Sequence, residues 1–383
     1  MEREELSVKD KSAVVGLGYT EQGKLPGRSA LSLYIEASKN ASIDAGLSTK
    51  DIDGLIIEPC PTDPRISAFS LAQEMGIELS FGADEQLQGA SAGAIMQHAA
   101  MAIDAGLCKY CLCAFADTSY SSPGMGGVIY QVAGGINAAY GMFGVAASYA
   151  MIAKRYMHEY GATNRQFGTV SVTFRYHASL NPRAVFREPM TIEDHQASRW
   201  VVEPLRLLDC CPVHDGGRAL IVTTAENARQ LRQPPVYIMG FGQGHPFDDP
   251  LRRNKLTVTG AVKSGKTAFA MAEVSPADID MCCIYDAFSF VVPLQLEDLG
   301  FCKKGEGPDF VQDGRIGLGG ELPVNTSGGL LSEVYLQGWV GTHEAVSQLR
   351  GNCGERQVRG AEISLLTSSG GALSEHATVI LRR

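Results

Sequence analysis

Two stretches of the chain, Leu47–Ile57 "LSTKDIDGLII" and Val274–Ile284 "VSPADIDMCCI", share the pattern Ser-x-x-Asp-Ile-Asp followed by a short apolar run, at an offset of 227 residues. Each follows an alanine-rich stretch with helical spacing. The Ser-x-x-Asp turn then feeds a run of strand length, which reads as helix, turn and buried parallel strand. The segments downstream echo one another too. Residues 102–122, "AIDAGLCKYCLCAFADTSYSS", match 345–371, "AVSQLRGNCGERQVRGAEISLLTSSGG", as helix, strand and small-residue turn. The repeat predicts an α/β chain with two halves of similar plan, residues 1–120 and 210–383, around an inserted region at 121–209. That insertion opens glycine-rich, continues with helical spacing, and reads as a cap over a site between the halves.

Composition narrows the function class. The 383 residues are 45% hydrophobic and 20% charged with a net charge of −9, as expected of a globular protein that binds small molecules or proteins rather than nucleic acid or an anionic membrane. The charged start "MEREELSVKDKSAVV" lacks the apolar core of a signal peptide, and no window reaches the roughly 18 apolar residues of a spanning helix, so a cytoplasmic location is expected. The ten cysteines sit largely in apolar runs, as reduced buried thiols do. "CKYCLC" (Cys108, Cys111, Cys113) has metal-like spacing without a matching Cys/His pair nearby, so no metal site is expected. "GAVKSGKT" (Gly260–Thr267) matches the phosphate-loop pattern letter for letter. The repeat argues against that reading, because the equivalent place in the first half has no glycine loop; Lys263 and Lys266 are expected to start an exposed helix.

A small-residue turn, "EQLQGASAGAI" (Glu85–Ile95), opens a helix in the first half. Together with "PLRLLDCCPVHDGGRALIV" (Pro204–Val222), "YDAFS" (Tyr285–Ser289), "LEDLGFCKKGEG" (Leu296–Gly307), "PVNTSGGLLSEVYLQG" (Pro323–Gly338) and "LLTSSGGAL" (Leu365–Leu373), it makes the chain resemble the thiolase superfamily over nearly its whole length. The nearest branch holds the sterol-carrier-protein-type thiolases and the thiolase-like aldolases of steroid side-chain breakdown. The resemblance implies a thiolase fold, with βαβαβαββ halves in α-β-α-β-α layers and an inserted loop domain.

It also exposes departures. Where thiolases place the nucleophilic cysteine, this chain has Ala90 with Ser91 beside it; their Gly-His-Pro motif becomes Val334-Tyr335-Leu336, their Asn/His motif begins at Tyr285, and their Cys-x-Gly-Gly loop reads Ser368-Ser369-Gly370-Gly371. The cysteine and histidine chemistry is gone while the glycine scaffolding remains. Paired tyrosines at these positions resemble the steroid side-chain aldolases, which cleave a 3-hydroxyacyl-CoA without a covalent intermediate. A retro-aldolase needs only to remove the β-hydroxyl proton and hold a thioester enolate.

The resemblance therefore assigns Tyr285 and Tyr335 as the acid/base and oxyanion-binding pair, Asp286 as support for Tyr285, and Asn325 as orienter of a water or hydroxyl. Backbone N–H groups at Ala90–Ser91 and Gly370–Gly371 are expected to form a second oxyanion cradle. Cys211 and His214 fall where family members line the coenzyme A tunnel, and loop residue His245 is a third candidate substrate contact. His98 and His343, on helical segments, are expected to be structural. No cofactor is implied beyond coenzyme A as part of the substrate. Implied partners are a second copy of the chain, through the edge around Ala105–Asp117, and a separate zinc-ribbon and oligonucleotide-fold protein in a heterotetramer or larger complex. Two rival readings remain: an acyltransferase using Cys211 or Ser91 as nucleophile, and a non-catalytic acyl-CoA or lipid-binding homologue.

Overall fold

The computed structural model describes residues 8–122, 139–142, 144–247 and 252–383. The glycine-rich opening of the insertion falls mostly outside these residues. The first half supplies strands β1 (Ser12–Tyr19), β2 (Gly54–Ile57), β3 (Phe81–Asp84) and β4 (Tyr110–Thr118), with helices α1 (Ala30–Ala45), α2 (Ala68–Met75) and α3 (Ser91–Asp104) between them. The insertion carries α4 (Gly144–Tyr160), α5 (Asn164–Ser179), α6 (Ile192–Ala197) and a two-stranded ribbon of β5 (Trp200–Val202) and β6 (Leu205–Arg206). Strands β7 (Asp215–Thr224) and β8 (Val236–Gly244) precede α7 (Ala261–Ala272), β9 (Met281–Ile284), α8 (Val291–Asp298), α9 (Trp339–Leu349), β10 (Ile363–Gly370) and β11 (Glu375–Arg382).

Nine of these strands form one mixed sheet in the order β3-β2-β4-β7-β1-β8-β11-β10-β9. Reading outward from the central β1–β8 pair, β1-β7-β4-β2-β3 faces β8-β11-β10-β9, and a parallel bridge from Cys282 to Val324 takes the place of β3. The repeat is therefore physical: β2 and β9 occupy matching places. Pairing puts β7 between β4 and β1, and β4 between β2 and β7, so the run around Ala105–Asp117 expected as an open sheet edge lies inside the sheet, with β3 outermost. By hydrogen bonding residues 215–224 thus go with the N-terminal strands, and the insertion interrupts the first half one strand before its end.

The structure also explains the repeated letters. Ser48 and Asp51, like Ser275 and Asp278, form capping boxes on single turns of 3-10 helix. The second aspartate of each Asp-Ile-Asp receives the main-chain N–H groups that open the neighbouring strand: Asp53 those of Lys109 and Tyr110, Asp280 those of Glu362 and Ile363, all at 2.8–2.9 Å. Ile52 and Ile279 between them are buried. The segment that matches the phosphate-loop pattern is the start of helix α7, which Gly260 precedes as cap, with Lys263 and Lys266 exposed.

Strand alternation sorts the side chains into layers. Val14, Cys111, Cys113 and Phe115 join Met281, Cys283 and Leu366 in a central core around α3 and α9. Ala13, Val15, Leu112 and Ala114 face α1 and α2 on one outer side, and Cys282, Ile284 and Leu365 face α7 on the other. The result is an α-β-α-β-α stack. Close helix contact requires glycine in both halves, since a Cβ on Gly18 would sit 1.8 Å from Ala37 O and one on Gly242 2.4 Å from Ser264 O. In α9 the polar side chains are buried and partnered: His343 lies between the carbonyls of Gly18, Ala219 and Trp339, and Glu344 bonds Thr326, Gln348 and Arg356. His98, half-buried on α3, pairs with Glu85 at 3.0 Å.

Candidate active site

Four segments meet at one end of the sheet: the turn entering α3, the residues after β9, the loop 325–338 entering α9, and the β10–β11 hairpin. Tyr285 follows β9 directly, its N–H bonded to Thr367 O and its carbonyl to the buried Gln295 Nε2. The Tyr285 and Tyr335 hydroxyl oxygens lie 3.4 Å apart, longer than the ~2.7–2.8 Å of an optimal hydroxyl bond. Tyr335 also donates to Gln337 Oε1 at 3.1 Å. The Tyr285 ring presses on the turn that opens α3, where a Cβ on Gly89 would fall 2.4 Å from its hydroxyl oxygen. The Tyr285 hydroxyl thus touches both Tyr335 and the turn that leads into Ala90.

His214 completes the support of Tyr335, its Nδ1 accepting the Tyr335 N–H at 3.1 Å. Burial pushes His214 down to about 4, so the ring is neutral near pH 7 with its hydrogen on Nε2. Asp286 is buried and its carboxylate caps the turn Gly329–Ser332 by accepting the N–H groups of Leu330 (2.9 Å) and Leu331 (3.2 Å). Desolvation pushes Asp286 up to about 7. Cys211 donates its N–H to Ala287 O, lacing the Cys210–Cys211 segment to the residues after Tyr285, and burial drives its thiol well above the usual range.

Three expectations change. Asn325 is engaged in holding a strand: its Oδ1 accepts from Ile284 N at 2.8 Å and its Nδ2 donates to Ile284 O at 2.7 Å, so its amide imitates a neighbouring strand at the edge of β9. Its own carbonyl faces His177 Nδ1 from α5. The Ala90–Ser91 cradle is also spent, because Ala90 N–H bonds Leu87 O, Ser91 N–H bonds Gln88 O, and the Ser91 hydroxyl donates to Gln88 O while accepting from Leu87 N. Gly371 N–H in turn goes to Gln88 Oε1 at 3.0 Å, and Gly370 O accepts from Ser374 N. His245, on the loop after β8, bonds Gln243 at 2.9 Å; among the described residues it does not reach the tyrosine pair. The insertion does reach the site, since Tyr149 of α4 donates to Gly371 O and packs on Phe288, and Asn181 donates to Ser327 O.

Sequence reasoning missed Gln88 and Gln337. Both lie in the tripeptide Leu-Gln-Gly, at 87–89 and 336–338, one ahead of each central helix. Both glutamines adopt the left-handed conformation, φ +48° and +53°, and a Cβ on Gly338 would lie 2.6 Å from Gly89 O, so the two turns touch. That repeated tripeptide was the available signal.

This fold, and the proteins it matches, place the chain in the thiolase-like family, to which it belongs. A family model described as thiolase C-terminal domain-like matches residues 242–383. The chain is 42% identical to a steroid side-chain-cleaving aldolase of Thermomonospora curvata, covering 89% of this chain and 90% of that protein. It is also 42% identical to 17-hydroxy-3-oxo-4-pregnene-20-carboxyl-CoA lyase of Mycobacterium tuberculosis, covering 94% and 97%. Among solved structures, the Ltp2–ChsH2(DUF35) aldolase superposes with a TM-score of 0.90 at 39% identity over 98% of each chain. These relatives are named as carbon–carbon lyases. No described helix is long and apolar enough to cross a membrane.

Proposed function

We propose that this chain is a CoA-thioester aldolase that cleaves a 3-hydroxyacyl-CoA, with steroid side-chain thioesters as the substrate class. The observation that carries the reading is the pair of phenol hydroxyls 3.4 Å apart against the Ala90 turn. In the reaction one tyrosine, in its ionised form, takes the β-hydroxyl proton, the C–O bond becomes the C=O of a ketone or aldehyde, and the C–C bond breaks toward the thioester α-carbon. The resulting enolate then takes a proton at that carbon from the tyrosine pair, which restores the base and gives the shorter acyl-CoA. An acyl-enzyme route is disfavoured by the same geometry: Ser91 Oγ is bonded within its own turn, and the Cys211 thiol is held protonated by burial. His214 lies beside the pair as a neutral support for Tyr335, and the reaction draws on no cofactor other than the coenzyme A of its substrate.

The chain works as a homodimer, joined to a separate DUF35-type partner like the one in the solved aldolase complex, and acts in the cytoplasm. The test is cleavage of a steroid 3-hydroxyacyl-CoA by the purified complex, followed as ketone and shorter acyl-CoA. Tyr285→Phe and Tyr335→Phe remove one hydroxyl each. Both should retain acyl-CoA binding and lose cleavage by about 10²-fold or more, the scale of an acid/base group or oxyanion donor. Unchanged cleavage in both variants refutes the tyrosine mechanism. Binding of acyl-CoA with no cleavage by the wild-type complex favours a non-catalytic homologue.

A further inference from the structure

We infer that Gln337 is a positioning residue for Tyr335, its side-chain amide accepting the hydroxyl hydrogen in the resting site and turning to offer N–H when that oxygen is ionised. The inference rests on the aldolase reading. A phenol hydroxyl has one hydrogen. With that hydrogen on Gln337 Oε1 at 3.1 Å, the Tyr335 oxygen can accept from the Tyr285 hydroxyl 3.4 Å away. The chain of donors therefore runs from Tyr285 to Tyr335 to Gln337. When Tyr335 is ionised the Tyr285 hydroxyl can donate to it, and a half-turn of the amide replaces a facing carbonyl with a second donor. Oxygen and nitrogen exchange places within nearly the same volume, so the switch needs no repacking.

Two further observations single out this glutamine. It is buried in a left-handed conformation, φ +53°, that side chains of its kind rarely adopt and that clusters at functional sites. Its counterpart Gln88 has the same conformation, φ +48°, and likewise directs its Oε1 to the site, at Gly371 N–H. Gln337 also lines a cavity of about 10 Å³, bordered by Tyr285, Asp286, Asn325 and Glu344, which is room for roughly one water. Among the described residues, the ionisable and charged groups beside this turn include Tyr285, neutral His214 at the Tyr335 N–H, and Asp286 and Glu344 across the cavity, with Glu333, paired to Arg218, two residues before Tyr335.

The test compares Gln337→Leu, which loses both polar ends, with Gln337→Glu, which when ionised can only accept. In the complete complex both should keep KM for the acyl-CoA within about twofold and lose kcat by about tenfold or more, as removing a hydrogen bond to an ionised group does. The rise of kcat with pH should move to higher pH, further for Gln337→Glu. A substrate-free readout is the ¹³C-tyrosine NMR titration of Tyr335, its signal identified by loss in Tyr335→Phe; it too should move up in both variants. An unmoved Tyr335 titration overturns the inference whatever happens to kcat, since a structural role alone would lower activity without it. A moved titration with no cleavage by the wild type keeps the positioning role and refutes the aldolase reading.

Discussion

Gly89→Ala should uncouple folding from catalysis at this site. The added Cβ would lie 2.4 Å from Tyr285 Oη, 2.6 Å from its Cε2 and 2.2 Å from Ser369 O. Favourable contacts of this kind lie near ~3.5–4.0 Å, so the Tyr285 ring must retreat by about 1 Å. A displacement of that size from the reacting geometry costs about 10²-fold in rate, which corresponds to about 2.7 kcal/mol of barrier. Overpacking a well-filled core costs about 1–3 kcal/mol of stability. Gly16→Ala is the comparison: its Cβ would press 2.4 Å from Ala41 O between β1 and α1, against Ala41 and Ala45 rather than Tyr285. Urea unfolding should give similar stability losses for both variants, while retro-aldol assays at saturating acyl-CoA should show the 10²-fold loss only in Gly89→Ala. Wild-type turnover in Gly89→Ala, or an equal loss in Gly16→Ala, would refute the argument that contact with this turn positions Tyr285.

Three other outcomes follow from the same geometry. Burial raises Asp286 to about 7, so the folded state holds its proton more tightly than the unfolded chain, and stability present below the ordinary value near ~3.9 is lost as pH rises through about 7. Asp286→Asn should remove that fall, read as a pH-dependent difference in urea midpoint from the wild type; a difference constant with pH contradicts it. Cys211→Ala should keep most of the cleavage activity, because the thiol is buried and protonated; complete loss with acyl-CoA binding intact would revive an acyl-enzyme. Arg218 is fully buried and bonds Glu333 at 3.0 Å beneath the Tyr19 ring. Arg218→Leu strands the Glu333 carboxyl and should cost about 3–5 kcal/mol in denaturant unfolding, and a loss under about 1 kcal/mol would show that the pair matters little.

How legible the fold was depends on which residues are compared. Asp53 and Asp280 are local signals with long-range consequences: each sits in a short repeated word, and each closes a strand more than 50 residues away by accepting its first N–H groups. A repeat of that kind survives in sequence because the hydrogen bonds require a carboxylate at one place in each half. The insertion point was less legible. Nothing in "DGGRALIV" distinguishes a strand that ends the first half from one that begins the second, since both are continuous buried runs, and only its pairing with β1 and β4 decides. At the site, the tyrosines could be read from their places in motifs. The fates of main-chain N–H groups could not, because the 3-10 turn at Gln88–Ala90 consumes donors that a plain helix start would leave open.

That consumption bears on why the tyrosines and the missing nucleophile occur together. A cysteine nucleophile at position 90 would need main-chain donors nearby to hold the oxyanion of its acyl group. Here Ala90 and Ser91 N–H close their own turn, Ser91 Oγ closes it again, and Gly371 N–H is bound by Gln88. A turn so occupied has little left to offer an oxyanion. A phenolic hydroxyl stands against it, since Tyr285 comes into contact with Gly89 because residue 89 has no side chain. The charge a retro-aldol step creates is then met by hydroxyl groups that can both give and accept a proton, which a fixed amide N–H cannot do. On this account, returning a cysteine alone, as Ala90→Cys, would leave its acyl oxyanion without the amides it needs, so intact-mass analysis after incubation with acyl-CoA should find no accumulated acyl-enzyme. Stable acylation of the introduced thiol would show that the turn can reopen its donors and would undercut the link drawn between the two substitutions.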